Sequence, residues 1–267
     1  MDKWLNQIIC GDNVEVMRQM PDNCIDLTVT SPPYDNLRTY NGFSFNFEEV
    51  AKELYRITKD GGVVVWVVGD ATINGSETGT SFRQALYFKE IGFNLHDTMI
   101  WNKQNCSSIG SMNRYENIFE YMFILSKGKP KTANIITDKP NKRAGELQYG
   151  SIRQKDGTVR KTSQYGKRAI AEFGRRSNVW NVFPAKSPKE RLHPAPFPEQ
   201  LAQDHIVSWS NPGDTVLDPF AGSGTTLKMA EETGRDSIGI EISSEYCNVI
   251  RERMNALQGR LALQGRG

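Results

Sequence analysis

The run Val63-Val64-Val65-Trp66-Val67-Val68 has no polar residue on either of its alternating faces. Successive side chains of a strand point to opposite sides of a sheet. A strand that is apolar on both sides has to be covered on both, as in the middle of a parallel sheet flanked by helices. The neighbouring segments fit that frame. Leu27 to Thr30 is a short β-rich run, and Phe47 to Thr58 carries Val50, Leu54 and Ile57 at helical spacing before Gly61-Gly62. Phe82 to Ile91 reads as a helix closed by Gly92, and Thr98 to Trp101 and Ile118 to Leu125 read as strands. Pro198 to Trp209 is a predicted helix, and Asn211 to Asp214 a turn. Thr215 to Asp218 is a strand, Ser223 to Thr233 a helix closed by Gly234, Ser237 to Glu241 a strand, and Ser244 to Leu257 the last helix. The tail from Gln258 to Gly267 is expected to fray. The alternation predicts an α/β fold with a largely parallel sheet and helices on both faces.

The length of 267 residues admits one large α/β domain, or a core domain with a sizeable insertion. With 38% hydrophobic and 24% charged residues, the chain is not disordered, collagen-like or a disulfide-rich miniprotein. No apolar run reaches the ~18 to 20 residues of a membrane span. Met1-Asp2-Lys3-Trp4 does not read as a signal peptide, so a cytoplasmic location is expected. Cys10, Cys24, Cys106 and Cys247 are widely spaced and show no zinc pattern, so no metal is expected. They read as incidental or buried thiols of a reducing compartment.

The formal net charge of +2 conceals a segregation. From Lys127 to Arg191 there are 17 Lys plus Arg and 5 Asp plus Glu, a net of +12, which leaves −10 for the remainder. The block is rich in Gly, Ser and Asn and poor in apolar runs. It is read as an inserted basic region, 127–191, between the flanking parts 1–126 and 192–267. A charge block of this kind is also what a merely solvated face looks like.

Two motifs carry chemistry. Asp218-Pro219-Phe220-Ala221-Gly222-Ser223-Gly224-Thr225-Thr226 follows a strand and opens a helix. Its glycines let backbone approach a ligand, and the helix start offers N–H groups. Glu241, 19 residues beyond Gly222, ends the next strand, where an acid binds ribose hydroxyls. The unit implies a cofactor containing a nucleoside. It is not a P-loop, because no Gly-Lys-Ser/Thr follows. The second motif, Thr30-Ser31-Pro32-Pro33-Tyr34, ends a strand at the sheet edge where ligands of α/β folds sit. Pro32 has a carbonyl but no N–H. The Ser31 hydroxyl and that carbonyl are acceptors, and Tyr34 is a flat stacking surface. Such a site suits a planar base with an exocyclic amino group. Taken alone, the tetrapeptide reads more readily as a proline turn leaving a strand than as a site.

Together, the two motifs resemble the amino-group DNA methyltransferases that use S-adenosylmethionine. Gly11-Asp12 resembles their acidic turn at the cofactor's adenine. His193-Pro194-Ala195-Pro196-Phe197-Pro198 resembles the segment packed on its methionine side. The catalytic motif precedes the cofactor motif, with a basic region between, which is similar to the β class. The resemblance covers roughly 6–126 and 178–257. It implies a Rossmann-like seven-stranded mixed sheet and makes 127–191 the target recognition region. It assigns cofactor contacts to Asp12, Phe197, Asp218, Pro219, Phe220, Gly222, Ser223, Gly224, Thr225, Thr226 and Glu241. It assigns the target amine to Ser31, Pro32, Pro33 and Tyr34. Arg143, Arg153, Arg160, Arg168, Arg175 and Arg176 become candidates for double-stranded DNA. The resemblance also raises a cognate restriction endonuclease and a homodimer as expectations. Ser31 is more similar to the cytosine-N4 enzymes than to the adenine-N6 enzymes, which mostly carry Asp or Asn there. No cysteine follows a proline, which argues against 5-methylcytosine chemistry. A dinucleotide-dependent oxidoreductase and a catalytically dead DNA-binding protein are the competing readings.

Overall fold

A computed structural model describes residues 1–33, 46–104, 113–184 and 197–264, the side chains of 260–264 aside. The first half of the chain runs β1 (Gln7–Cys10), α1 (Asn13–Arg18), β2 (Ile25–Thr30), α2 (Phe47–Ile57), β3 (Thr58–Val68), β4 (Thr72–Ile73), β5 (Ser76–Glu77), α3 (Thr80–Glu90), β6 (Asn94–Asn102) and β7 (Phe119–Ser126). Then come β8 (Lys139–Pro140), β9 (Ser151–Arg153), β10 (Val159–Lys161), β11 (Phe173–Gly174) and β12 (Val179–Asn181). The last part is α4 (Glu199–Trp209), β13 (Thr215–Asp218), α5 (Thr225–Glu232), β14 (Asp236–Glu241) and α6 (Ser244–Gln264).

The main sheet is mixed, with the order β1-β14-β13-β2-β3-β7-β6-β12. It has eight strands rather than the seven expected. The extra one is β12, whose Val179, Trp180 and Asn181 pair in parallel with Ile100, Trp101 and Asn102. From β1 to β3 every pairing is parallel; β7 is antiparallel to both β3 and β6.

The apolar run of β3 lies at the centre and serves both faces. Val64, Trp66 and Val68 pack in a core with Val14 and Met17 of α1, Val50 and Leu54 of α2, and Phe88 of α3. Val63, Val65 and Val67 pack on the other side with Leu201 and Ile206 of α4 and Met229 and Ala230 of α5. Ile250, Met254 and Leu257 of α6 join Leu227 of α5 in a third cluster. Each fully buried side chain of this size contributes roughly 1.5–3 kcal/mol. α6 does not stop at Leu257 but runs to Gln264, so the expected fraying from Gln258 is corrected. Leu261, Ala262 and Gln264 are strong helix formers, and they outweigh the cost of Gly259.

The reading of the cysteines is also corrected, because Cys10 and Cys247 form a disulfide across a sequence separation of 237. The physical reason lies in the topology. β1 is the edge strand beside β14, and α6 follows β14 directly, so the first strand and the last helix are neighbours. Cys24 is a buried free thiol, and burial raises its pKa. Cys106 lies outside the described residues.

The chain divides into two compact units, Met1–Asn134 with Asn178–Gly267, and Ile135–Ser177. The second unit is narrower than the 127–191 block drawn from charge, since β12 and its buried Trp180 belong to the main sheet. It is an antiparallel ladder. Arg176 N–H bonds to the Ile136 carbonyl (2.9 Å), Asn141 N–H to Glu172 (2.9 Å) and Gln148 N–H to Arg168 (2.9 Å). β9 and β10 form its terminal hairpin, where Asp156 accepts from the Thr158 N–H (2.9 Å) and hydroxyl (2.7 Å).

Candidate active site at the sheet edge

Four neighbouring parallel strands end on one edge, and each ends in a residue singled out by the sequence. Asp12 follows β1, Glu241 ends β14, Asp218 ends β13 and Ser31 follows β2. Neighbouring strands are ~4.8 Å apart, so the row spans three intervals, about 14 Å. The chain steps rightward from β2 to β3 and leftward from β13 to β14. The β13–β2 boundary is therefore the switch point where α/β folds bind ligands.

Asp12 caps α1, its Oδ1 accepting from the N–H groups of Val14 (2.9 Å) and Glu15 (3.0 Å). Cys10 pairs with Glu241 in register, and the Gly11 N–H bonds to the Glu241 carbonyl (3.0 Å), which sets the two acids side by side. The Glu241 carboxylate accepts from the Gly222 N–H on Oε2 (2.8 Å) and the Ser243 N–H on Oε1 (2.9 Å). An ionised carboxylate offers about four lone-pair positions, so one on each oxygen remains for a diol. Burial raises the Glu241 pKa, and the Ser243 and Gly222 N–H groups oppose it.

The turn between β13 and α5 is shaped by close packing. Gly224 is the residue before the helix, with φ +77, and a Cβ there would meet the Ile250 side chain at 2.8 Å. No side chain caps α5. Arg253 of α6 supports this turn, its guanidinium donating to the Ser223 carbonyl (2.9 Å), the Thr225 hydroxyl (3.2 Å) and Glu199 Oε1 (2.6 Å). Glu199 also holds Lys228 (2.7 Å). Asn13 donates to the Pro219 carbonyl (3.1 Å) and so ties α1 to the turn. Phe220 is half-buried, with its ring 6.2 Å from that of Trp66. Asn13 and Arg253 gave no sequence signal beyond Asn13's place after Gly11-Asp12.

Asp218 is buried, and desolvation pushes its pKa up to about 6 against the hydrogen bonds from Thr30, the Phe220 N–H and Thr226. The Thr30 hydroxyl donates to Asp218 Oδ1 at 2.7 Å, and the Phe220 N–H reaches the same oxygen at 3.1 Å. The Thr226 hydroxyl lies 3.3 Å from the Val29 carbonyl. Beyond Thr30, Ser31 and Pro33 are half-buried and Pro32 is buried. Phe197 is half-buried against Trp101, ring centroids 6.4 Å apart. Tyr34 and His193 to Pro196 lie outside the described residues.

The six candidate arginines all fall in the Ile135–Ser177 unit. They are not equivalent. Arg143 pairs with Glu146 (2.6 Å), and Arg176 Nε with Asp138 (2.9 Å), so two of them hold the unit itself. Arg153, Arg160, Arg168 and Arg175 have no acidic partner among the described residues. On the hairpin, Arg153 lies opposite Val159 and Arg160 opposite Ile152. Consecutive pairs point to opposite faces, so Arg153 and Arg160 are on different sides.

A family profile described as DNA methylase matches residues 25–252. The chain is 57% identical to the orphan methyltransferase M.BamHII of Bacillus amyloliquefaciens, over 92% of this chain and 95% of that protein. It is 28% identical to the type II methyltransferase M.SmaI of Serratia marcescens, over 93% and 90%. Among solved structures, it superimposes on TTHA0409 of Thermus thermophilus complexed with S-adenosyl-L-methionine, with a TM-score of 0.64, 27% identity, and 94% of each chain covered. The PvuII DNA methyltransferase, cytosine-N4-specific, shares the fold at a TM-score of 0.65 and 22% identity, over 95% of this chain and 91% of that one.

Proposed function

Because the chain belongs to the DNA methylase family, we propose that it transfers the methyl group of S-adenosylmethionine to the exocyclic amine of a DNA base, N4 of cytosine. The observation that carries this reading is the row Asp12, Glu241, Asp218, Ser31 along four consecutive parallel strand ends. It matches, in order, what an extended nucleoside–amino-acid cofactor beside a base requires. The donor set fits that cofactor. Glu241 keeps acceptor positions for the ribose diol, Asp12 keeps Oδ2 for the adenine amine, and the Phe220 ring is an apolar wall. Ser223, Gly224, Thr225 and Thr226 would serve the amino-acid end, with Phe197 on its methionine side. When bound, the cofactor supplies an electrophilic methyl group on a sulfonium.

The residues of this chain have the remaining work. An exocyclic amine conjugated to a ring is a weak nucleophile. The Ser31 hydroxyl and Pro32 carbonyl accept hydrogen bonds from its two N–H groups and turn the nitrogen lone pair out of the ring plane toward the methyl group. As the N–C bond replaces the C–S bond a neutral thioether is left, and the methylated nitrogen, now cationic and acidic, gives up one of those protons to solvent. Pro33 stiffens that turn. Holding the reacting atoms at near-attack distance supplies much of the rate. The amine is inaccessible in duplex DNA, so the base is flipped out at a cost of a few kcal/mol, and Tyr34 would stack on it. Arg153, Arg160, Arg168 and Arg175 offset that cost through phosphate contacts and counterion release. The similarity to an orphan enzyme favours action without a cognate endonuclease, and DNA as substrate favours the cytoplasm. No helix among the described residues is long and apolar enough to cross a membrane.

Adenine N6 is the second reading, since both bases present an amine to the same acceptors; Ser31 favours cytosine. The test is to methylate plasmid DNA with labelled S-adenosylmethionine, digest it to nucleosides and identify the product by mass spectrometry. N4-methyldeoxycytidine is expected. N6-methyldeoxyadenosine would transfer the assignment to adenine, and no methylated nucleoside would overturn the methyltransferase reading.

A further inference from the structure

The two halves of the site come from segments far apart in the chain. Asp218 begins the cofactor turn, and Thr30 immediately precedes the amine-binding Ser31; they are 188 residues apart. The shorter of two buried side-chain hydrogen bonds across the switch point runs from Thr30 Oγ1 to Asp218 Oδ1 at 2.7 Å; the other, from the Thr226 hydroxyl to the Val29 carbonyl, is 3.3 Å. Thr30 is 1% exposed and Asp218 5%. The same carboxylate oxygen holds the Phe220 N–H, so one atom bonds to both the last residue of β2 and the first bend of the cofactor turn.

We propose that Thr30 is a positioning residue for methyl transfer, its hydroxyl holding the Ser31–Pro32 acceptors in register with the cofactor turn through Asp218. The inference rests on the methyltransferase reading. Its geometric basis is specific to the hydroxyl, as a second threonine on the strand demonstrates. Thr28, two residues earlier on the same face of β2, is fully buried, and its hydroxyl has no hydrogen-bond partner among the described residues. Fold packing alone needs only a branched side chain at such a position, and valine has that shape. At position 30 the hydroxyl is engaged, and the oxygen that it engages belongs to the other motif.

In-line transfer is sensitive to placement; a shift of about 1 Å costs on the order of 100-fold in rate. A loosened Thr30 would leave the cofactor cradle intact, because Glu241, Asn13 and Arg253 hold it independently. It would misplace the amine relative to the methyl group. The signature is therefore a fall in turnover without a matching loss of cofactor affinity.

The test measures kcat and the KM for S-adenosylmethionine, with DNA saturating, for the wild type, Thr30→Val, Thr30→Ser and Thr28→Val. Thr30→Val should lower kcat by about 10- to 100-fold with KM changed less than about threefold. Thr30→Ser should restore most of the turnover, and Thr28→Val should match the wild type. If Thr30→Val does not fold, as judged by a thermal shift with S-adenosylhomocysteine, Thr30→Ala takes its place against Thr30→Ser. Unchanged kcat in Thr30→Val, no rescue by Thr30→Ser, or KM rising as far as kcat falls would each overturn the proposal. A wild type that transfers no methyl group would overturn the methyltransferase reading and this inference with it.

Discussion

The sheet-based unit and the Ile135–Ser177 unit use opposite means of holding shape. In the first, β3 alone places Val63 to Val68 in two cores at once, and Trp66 is 0% exposed. In the second, no described residue is buried, and Ile152, Val159 and Tyr149 are each more than half exposed. Its order comes from backbone pairing, from Asp156 at the hairpin turn, and from the Arg143–Glu146 and Arg176–Asp138 pairs. Exposed pairs of this kind are each worth at most about 1 kcal/mol. Buried packing is concentrated in the unit that carries Ser31, Asp218 and Glu241, and the second unit is held by exposed polar contacts. The charge follows the same division, with 11 Lys plus Arg against 4 Asp plus Glu in residues 135–177.

Three measurements would break or sharpen this contrast. The largest effect is expected in the sheet. Trp66→Ala should lower the unfolding free energy by about 3–5 kcal/mol in urea titration, through the lost burial and the cavity left behind. A cost under about 1 kcal/mol would mean that the central strand is not what holds the sheet unit together.

The next concerns the buried acid. Asp218 has its folded pKa raised to about 6 from an ordinary value of 3.8. The folded protein thus prefers the protonated form, and stability associated with it is lost as pH rises from about 4 through about 6. Asp218→Asn cannot ionise, so it should gain on the wild type across that window by about 3 kcal/mol. A pH-independent difference would place Asp218 near its ordinary pKa.

The smallest effect on stability, with a clear effect on binding, is expected in the ladder. Replacing Arg153, Arg160, Arg168 and Arg175 with Ala should leave stability within about 0.5 kcal/mol. Each arginine that meets a phosphate should flatten the slope of log K against log salt by about 0.9 on removal. A slope equal to that of the wild type would remove these residues from the DNA contact surface.

The parts legible in the sequence are those with a local signal. Thr215–Asp218 and Phe47–Ile57 are visible because apolar spacing depends on near neighbours, although Gly61-Gly62 lie inside β3 and it is Thr58 that caps the helix. Motif residues were visible because Gly222, Gly224 and Glu241 serve a turn and a strand end whose spacing is fixed along the chain. β1 and α1 were too short to carry a period, and only Gly11-Asp12 marked them. β12 was hidden by its surroundings, since Val179-Trp180-Asn181 is a strand only through its pairing with Ile100 to Asn102. Thr30 with Asp218, Asn13 with Pro219, and Cys10 with Cys247 are pairings that no local pattern encodes. The arginines were legible as charge, but not as four without acidic partners and two engaged ones.

The Cys10–Cys247 bond has a consequence for the chain as an object. It closes residues 10–247 into one covalent ring. A protease that cut the exposed ladder once would open the ring without dividing the molecule. The segment carrying Ser31 and the segment carrying Asp218 would stay tethered beside each other, at the end of the sheet where Glu241 stands. Such a nicked chain would run as one species without reductant and as two with it.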